Sequence, residues 1–210
     1  MRASRRPTTW TKPKGVAQGQ MKALDAASIA SIRGHLANHG SQRDRALFAL
    51  ALDSMLRGHD LVRLRVRDVV DHLGAVRESF PVVQGKISAG KAHTVLCYLT
   101  APTRDAVAAL IAAENKSPDA YLFTGRGRSH PLSTCQVRLL LKGWCEAVGL
   151  DPTVHSNHSL RRTKAAALYK QSHDLELVRQ ALGHAYLSST QSYLSVGSDE
   201  VRAACLNLSL

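Results

Sequence analysis

The stretch GHAYLSSTQSY, residues 183–193, sets His184 nine positions ahead of Tyr193. A tyrosine hydroxyl is a potential nucleophile, and an imidazole changes charge near neutral pH. A second polar stretch, HSNHSLRRT at residues 155–163, sets His158 three positions ahead of Arg161. On a helix that spacing puts both on one face. An imidazole beside a guanidinium suits a site that binds a phosphate and moves a proton, because arginine supplies fixed charge and paired donors while histidine titrates. A third stretch, SMLRGHDLVRLRVRDV at residues 54–69, brings Arg57 to the end of an apolar run, where a guanidinium is costly unless its charge is used.

Each of these residues also has an ordinary structural reading. Gly183 can end a helix, Tyr193 can pack its ring against a core, and Arg57 can pair with Asp60 three residues on. The His158 and Arg161 helix can be a solvated basic face. His155 and His158 have the chemistry of zinc ligands but no nearby cysteine or carboxylate to complete a set, so no metal is expected. Lys86 and Lys91 follow a strand-like run and belong to its loop; loop lysines are ordinary surface residues.

The elements that must position these side chains follow from hydrophobic spacing and punctuation. Residues 1–24 read as a basic arm: the first 20 hold five basic residues, two prolines and no acid. Asp25 caps a helix with Ile29, Ile32 and Leu36 on one face, ending at Asn38-His39-Gly40. A second helix spans about 41–55, and a short one lies near 60–64. The run RDVVDHLGAVRESFPVV and the run AHTVLCYL are β-rich, predicting two or three antiparallel strands with QGKISAG as a hairpin loop. Thr100 and Pro102 open another helix. Ser133 and Gln136 form a capping box for a helix that turns Val137, Leu140, Leu141, Trp144 and Val148 inward and ends at Gly149. Further helices are expected at 157–171, 174–182, 187–195 and, in the tail, 198–208. The fold class is mainly α with one small antiparallel sheet (α+β).

The bulk numbers narrow the partners. Twenty-eight Lys and Arg against 16 acids give a net charge of +12, which attracts polyanions. Aromatics make up 5%, with no stacking platform, so duplex phosphate contact is favoured over single-strand binding. Charge alone does not separate a DNA binder from a ribosome-associated protein. No apolar run approaches the length of a membrane span, and Cys97, Cys135, Cys145 and Cys205 contain no CxxC pair. They read as reduced, mostly buried residues of a cytoplasmic protein.

In this order the pieces resemble the tyrosine recombinases, or phage-type integrases, over residues 25–196. The pieces are LRGHDL, the Leu64 and Asp68 continuation, a hairpin lysine, HSLRRT, LGH, and a tyrosine nine residues after that histidine. The resemblance implies a recombinase catalytic domain over 25–196 and a tail, 197–210, that contacts a neighbouring protomer. It implies Tyr193 as a nucleophile that forms a 3′-phosphotyrosyl bond. It implies Arg57 and Arg161 as clamps on the phosphoryl oxygens, His184 as a further donor, and His158 as the group that helps take the tyrosine proton. Lys86, which matches the family position better than Lys91, is implied as the acid for the leaving 5′-oxygen. No cofactor is implied, since bond energy is kept in the phosphotyrosine. The implied partners are double-stranded DNA and a tetramer of the chain on DNA. Only 24 residues precede the domain, as in the small fimbrial-type invertases, so a helper protein or partner recombinase is a further expectation. The alternatives are a non-catalytic DNA-binding regulator of the same fold and a related topoisomerase. Two departures stand out: Met55 where the family usually has glycine, and Asp60 where it usually has glutamate.

Overall fold

The computed structural model describes residues 21–84, 93–125, 129–191 and Leu194. Helix α1 (Ala26–His39) begins where the Asp25 carboxylate accepts from the Ser28 N–H at 2.7 Å. Helix α2 (Gln42–Ser54) begins in the same way at Ser41. A side-chain oxygen at the cap satisfies one of the N–H groups that the first turn leaves without a partner. Ala46, Leu47, Phe48, Leu50, Ala51 and Leu52 are all buried, so α2 is enclosed on most sides. It is the central post, packed on α1, on α5 (Ala101–Glu114), on α7 (Asn157–Ser172) and on the hairpin.

Helices α3 (Gly58–Arg63) and α4 (Val66–Val69) are single short turns. Strands β1 (Ser79–Gln84) and β2 (His93–Tyr98) pair antiparallel with Phe80 opposite Cys97 and Gln84 opposite His93. The β-rich run was expected to yield two or three strands, and among the described residues it yields two. Its first part, residues 67–69, belongs to α4 instead, and Val70 and Val76 form only an isolated bridge. The reason is local side-chain chemistry. The Asp68 carboxylate takes the Arg65 N–H, and that of Asp71 takes the N–H groups of Leu73 and Ala75, while Gly74 sits at φ 85°. Asp and Gly therefore fold the chain into caps and a tight turn where β-branched neighbours favour extension.

Helix α6 (Thr134–Ala147) carries the expected capping box between Ser133 and Gln136. It buries Val137, Leu141, Trp144 and Cys145, with Trp144 edge-on to Phe48 at 5.7 Å. Helices α8 (Leu175–Leu182) and α9 (Leu187–Gln191) finish the described fold. Two apolar clusters result. The larger joins α1, α2, α5, α6 and the hairpin. The smaller gathers Met55, Ala165, Val178, Leu182 and Leu194 around the junction of α2, α7 and α8.

The last residues of the segment read as an arm are tied to the domain. Leu24 is buried in the larger cluster and its N–H donates to Thr163 Oγ1 at 2.8 Å, while the Met21 carbonyl accepts from Arg162. Of the cysteines, Cys97 and Cys145 are buried and Cys135 is exposed. Residues 1–20 and the expected tail helix at 198–208 lie outside the described residues. No described helix is long and apolar enough to cross a membrane.

Candidate active site

Three of the chemistry-bearing stretches meet around the smaller cluster. The first arrives through Met55. Helix α2 ends with Met55 in the left-handed conformation (φ 50°, ψ 24°), which turns the chain sharply, and Arg57 becomes the cap residue of α3. The turn also leaves the Met55 carbonyl accepting from Arg161 Nη1. This explains the departure noted at this position: the backbone takes a conformation that glycine adopts without penalty, and methionine takes it while packing its side chain into the smaller cluster.

Arg57 is half-buried, and its Nη1 has no hydrogen-bond partner among the described residues. The structural alternative, an Arg57–Asp60 ion pair, is not formed; Asp60 lies 3.5 Å from His59 Nδ1. Next to Arg57, Gly58 packs against Asn157 at the start of α7, where an added Cβ would stand 3.1 Å from the Asn157 amide nitrogen. That close approach brings the Arg57 stretch to the His158 stretch.

Helix α7 delivers His158 and Arg161 from one face, as their spacing requires. Arg161 is 1% exposed. Its Nη2 donates to the Leu182 carbonyl at 2.6 Å and lies 3.2 Å from His184 Nε2. His184 follows Gly183, which ends α8 at φ 63° and whose position a Cβ would bring to 2.1 Å from Val95 Cγ2 of β2. Positive φ and the missing Cβ are both needed for α8 to sit this close to the hairpin. Gln84, buried at the end of β1, reaches the same Leu182 carbonyl at 3.4 Å. Arg179 braces the turn from outside, pairing with Glu176 and donating to the His184 carbonyl at 2.5 Å.

The electrostatics follow from this crowding of positive charge. Burial, then the charges of Arg161, Arg57 and Arg179, push the His184 imidazole down to about 4. Burial and then Arg161, Arg162 and Arg57 also lower His158, whose ring stays open to solvent. Lowered from 6.5, both imidazoles are neutral at pH 7, the form in which His158 can accept a proton. The Arg57 charge thus acts on both histidines.

Arg57, His158, Arg161 and His184 are therefore brought together. Lys86 and Tyr193 lie outside the described residues. Leu194 is buried in the smaller cluster, and its N–H is bonded to the Thr190 and Gln191 carbonyls. Sequence reasoning missed four neighbours. Asp53 is buried at the end of α2 and accepts from Thr100 N–H, Thr100 Oγ1 and Lys164 Nζ, fixing α7 against α2 and α5. Lys164 stands three residues after Arg161, and that helical spacing was the available signal. Gln84 and Thr190 had none, since a buried amide and a buried hydroxyl resemble surface residues in sequence. A broad groove along α6, between Arg43 and Trp144, is lined by none of the candidate residues.

Residues 22–199 match the family described as the phage integrase family. The chain is 27% identical over 192 residues to "Tyrosine recombinase XerA" of Pyrococcus horikoshii, covering 91% of this chain and 60% of that relative. Against other tyrosine recombinases it spans 52% and 61% of their length, so it corresponds to a little over half of such proteins. The fold is similar to the "Crystal structure of XerA recombinase", with a TM-score of 0.73 at 18% identity over 91% of this chain and 67% of that one. It is also similar to XerH site-specific recombinase bound to its difH substrate, with a TM-score of 0.69 at 17% identity over 92% and 57%. With a family match that covers most of its length, joined to this fold, the chain belongs to the phage integrase family.

Proposed function

We propose that this chain is the catalytic part of a site-specific DNA recombinase that cuts and rejoins DNA through a 3′-phosphotyrosyl intermediate. The observation that carries the proposal is the convergence of Arg57, His158, Arg161 and His184 from three separated stretches, with a buried Arg57 donor left without a partner. A guanidinium N–H with nothing to bond in a cationic cleft favours an anionic acceptor, and a phosphodiester has the right charge and two oxygens.

In this reading Tyr193 attacks the phosphorus, and its phenolic proton passes toward the neutral His158. Arg57 and Arg161 hold the non-bridging oxygens as charge builds on them. Lys86 gives a proton to the leaving 5′-oxygen. The phosphotyrosine keeps the energy of the broken bond, and attack by a 5′-hydroxyl of another strand releases the tyrosine. His184 needs one addition to the expectation. Its Nε2 faces an arginine N–H, so it donates to a phosphoryl oxygen only after taking up a proton, which an arriving anion makes easier.

The domain assignment is part of the same proposal: an arm before residue 25 whose last residues, 21–24, are bound to the domain, a catalytic domain over 25–196, and a tail over 197–210 that joins protomers. The partners are double-stranded DNA and further copies of the chain in a tetramer on DNA. A helper protein or partner recombinase supplies additional grip, and the reaction takes place in the cytoplasm. The net charge of +12 supports a duplex partner.

The test uses nicked duplexes, which trap the covalent intermediate by letting the cleaved fragment diffuse away. The wild-type chain is expected to give a protein–DNA adduct on a denaturing gel and Tyr193→Phe none. An adduct of equal yield from the Phe variant refutes the assignment of the nucleophile.

A further inference from the structure

His184 has two ring nitrogens, and the structure gives each a neighbour. Nε2 lies 3.2 Å from Arg161 Nη2. A guanidinium carries donors only, so at that contact Nε2 must be the acceptor and bear no proton. The proton of the neutral ring is then on Nδ1, which lies 3.0 Å from Thr190 Oγ1. Thr190 is fully buried, on α9, three residues before Tyr193. Its hydroxyl oxygen is therefore the acceptor that fixes which nitrogen carries the proton.

We propose that Thr190 is a positioning residue: its hydroxyl locks His184 in the Nδ1–H form and ties the helix leading to Tyr193 into the arginine–histidine cluster. The proposal rests on the recombinase reading for its consequence and on the geometry of the contact for its substance. The lock works on both sides of His184. With the Nδ1 proton held, Nε2 stays a bare acceptor for Arg161 and the ring plane is set between two fixed neighbours. Without the hydroxyl, the proton can move to Nε2, where it would face an arginine N–H, donor against donor. The ring must then turn or withdraw, and Arg161 loses one of its contacts. The same bond spans from the turn after α8 to α9, so it sets the register of the short helix against the site. A five-residue helix has little stability of its own and takes its position from such tertiary contacts.

Two substitutions separate this role from mere packing. Thr190→Val keeps the shape and removes the hydroxyl, while Thr190→Ser keeps the hydroxyl and removes a methyl. Nitrogen-15 NMR of the full chain at pH 7, without DNA, reads the His184 ring directly. The wild type and Thr190→Ser are expected to show a protonated Nδ1 and a bare Nε2, and Thr190→Val is expected to lose that pattern. A protonated Nε2 in the wild type, or an unchanged pattern in the Val variant, overturns the proposal. The consequence is read as adduct formation on a library of nicked duplexes with randomised sequence. Thr190→Val is expected to form adducts roughly tenfold or more slowly, the scale of losing a group that orients a functional histidine, with Thr190→Ser restored to near the wild-type rate. Equal rates for the wild type and Thr190→Val overturn it. If the wild type forms no adduct on the library, the recombinase reading fails instead, and the ring pattern alone decides for or against the lock.

Discussion

Replacing Met55 by glycine should destabilise the protein, although glycine is the residue the resembling family usually has there. Two opposing effects decide the sign. Met55 sits at φ 50° and ψ 24°, a left-handed conformation that costs a residue with a Cβ about 1–2 kcal/mol. Glycine removes that strain but gives back roughly 0.5–1 kcal/mol through the greater freedom of the unfolded chain. The net relief is therefore only about 0.5–1 kcal/mol. Against it stands the side chain, which is buried with Ala165, Val178, Leu182 and Leu194. Truncating a buried methionine to alanine costs about 2–5 kcal/mol in transfer and cavity terms. Burial outweighs strain.

Urea unfolding of the wild type, Met55→Gly and Met55→Ala resolves both terms. Met55→Ala loses the side chain and keeps the strain, so it should be the least stable, by about 2–5 kcal/mol. Met55→Gly should recover about 0.5–1 kcal/mol of that and still fall below the wild type. A glycine variant more stable than the wild type would show that the methionine packs for less than its backbone costs. An alanine variant as stable as the glycine variant would show that the left-handed turn carries no strain. The contact from Arg161 is to the Met55 carbonyl and survives either substitution, so a change in site chemistry with no change in stability would also refute this reasoning.

Two further perturbations follow from the same region. Gly183→Ala places a Cβ 2.1 Å from Val95 Cγ2 at φ 63°, and overpacking with left-handed strain should cost about 2–5 kcal/mol in a denaturant titration. Adding Val95→Ala to that variant removes the obstructing methyls, so the double variant should be more stable than the sum of the two single losses; strict additivity would mean the clash is not the cause. The His184 imidazole is lowered from 6.5 to about 4 in the folded chain, so the folded state binds fewer protons than the unfolded one between those values. Its stabilising share is thus complete above pH 6.5 and is lost as pH falls toward 4. Between pH 7 and 4.5 the wild type should lose about 2–3 kcal/mol more than His184→Asn, at 1.36 kcal/mol per pH unit. Parallel pH profiles for the two would exclude a buried neutral His184.

What the sequence made legible was set by how local each signal is. The caps at Asp25 and Ser133 sit within three residues of the N–H groups they satisfy, and both are formed as expected. His158 and Arg161 share a helix face for the same reason. The run at 67–76 misled because its composition favours strand while two aspartates and Gly74 govern the backbone, and three residues decided the shape of ten.

The contacts that complete the site are long-range, and there the residue type says little. Thr163 accepts a bond from Leu24, 139 residues away, and Asp53 accepts one from Lys164, 111 residues away. Composition does not announce a threonine hydroxyl set against a histidine ring nitrogen or a methionine that carries a left-handed turn. The Leu182 carbonyl shows why such contacts matter. It accepts from Arg161 and from Gln84, so one oxygen joins the helix that bears His158, the turn that bears His184 and the loop end of the hairpin. Around it, Gly183 allows the close approach and Thr190 fixes the ring. Residues recognised by type bring the chemistry, but it is these unremarked neighbours that bring Arg161 and His184 within 3.2 Å of one another. A search by motif finds the first group, and only the folded backbone identifies the second.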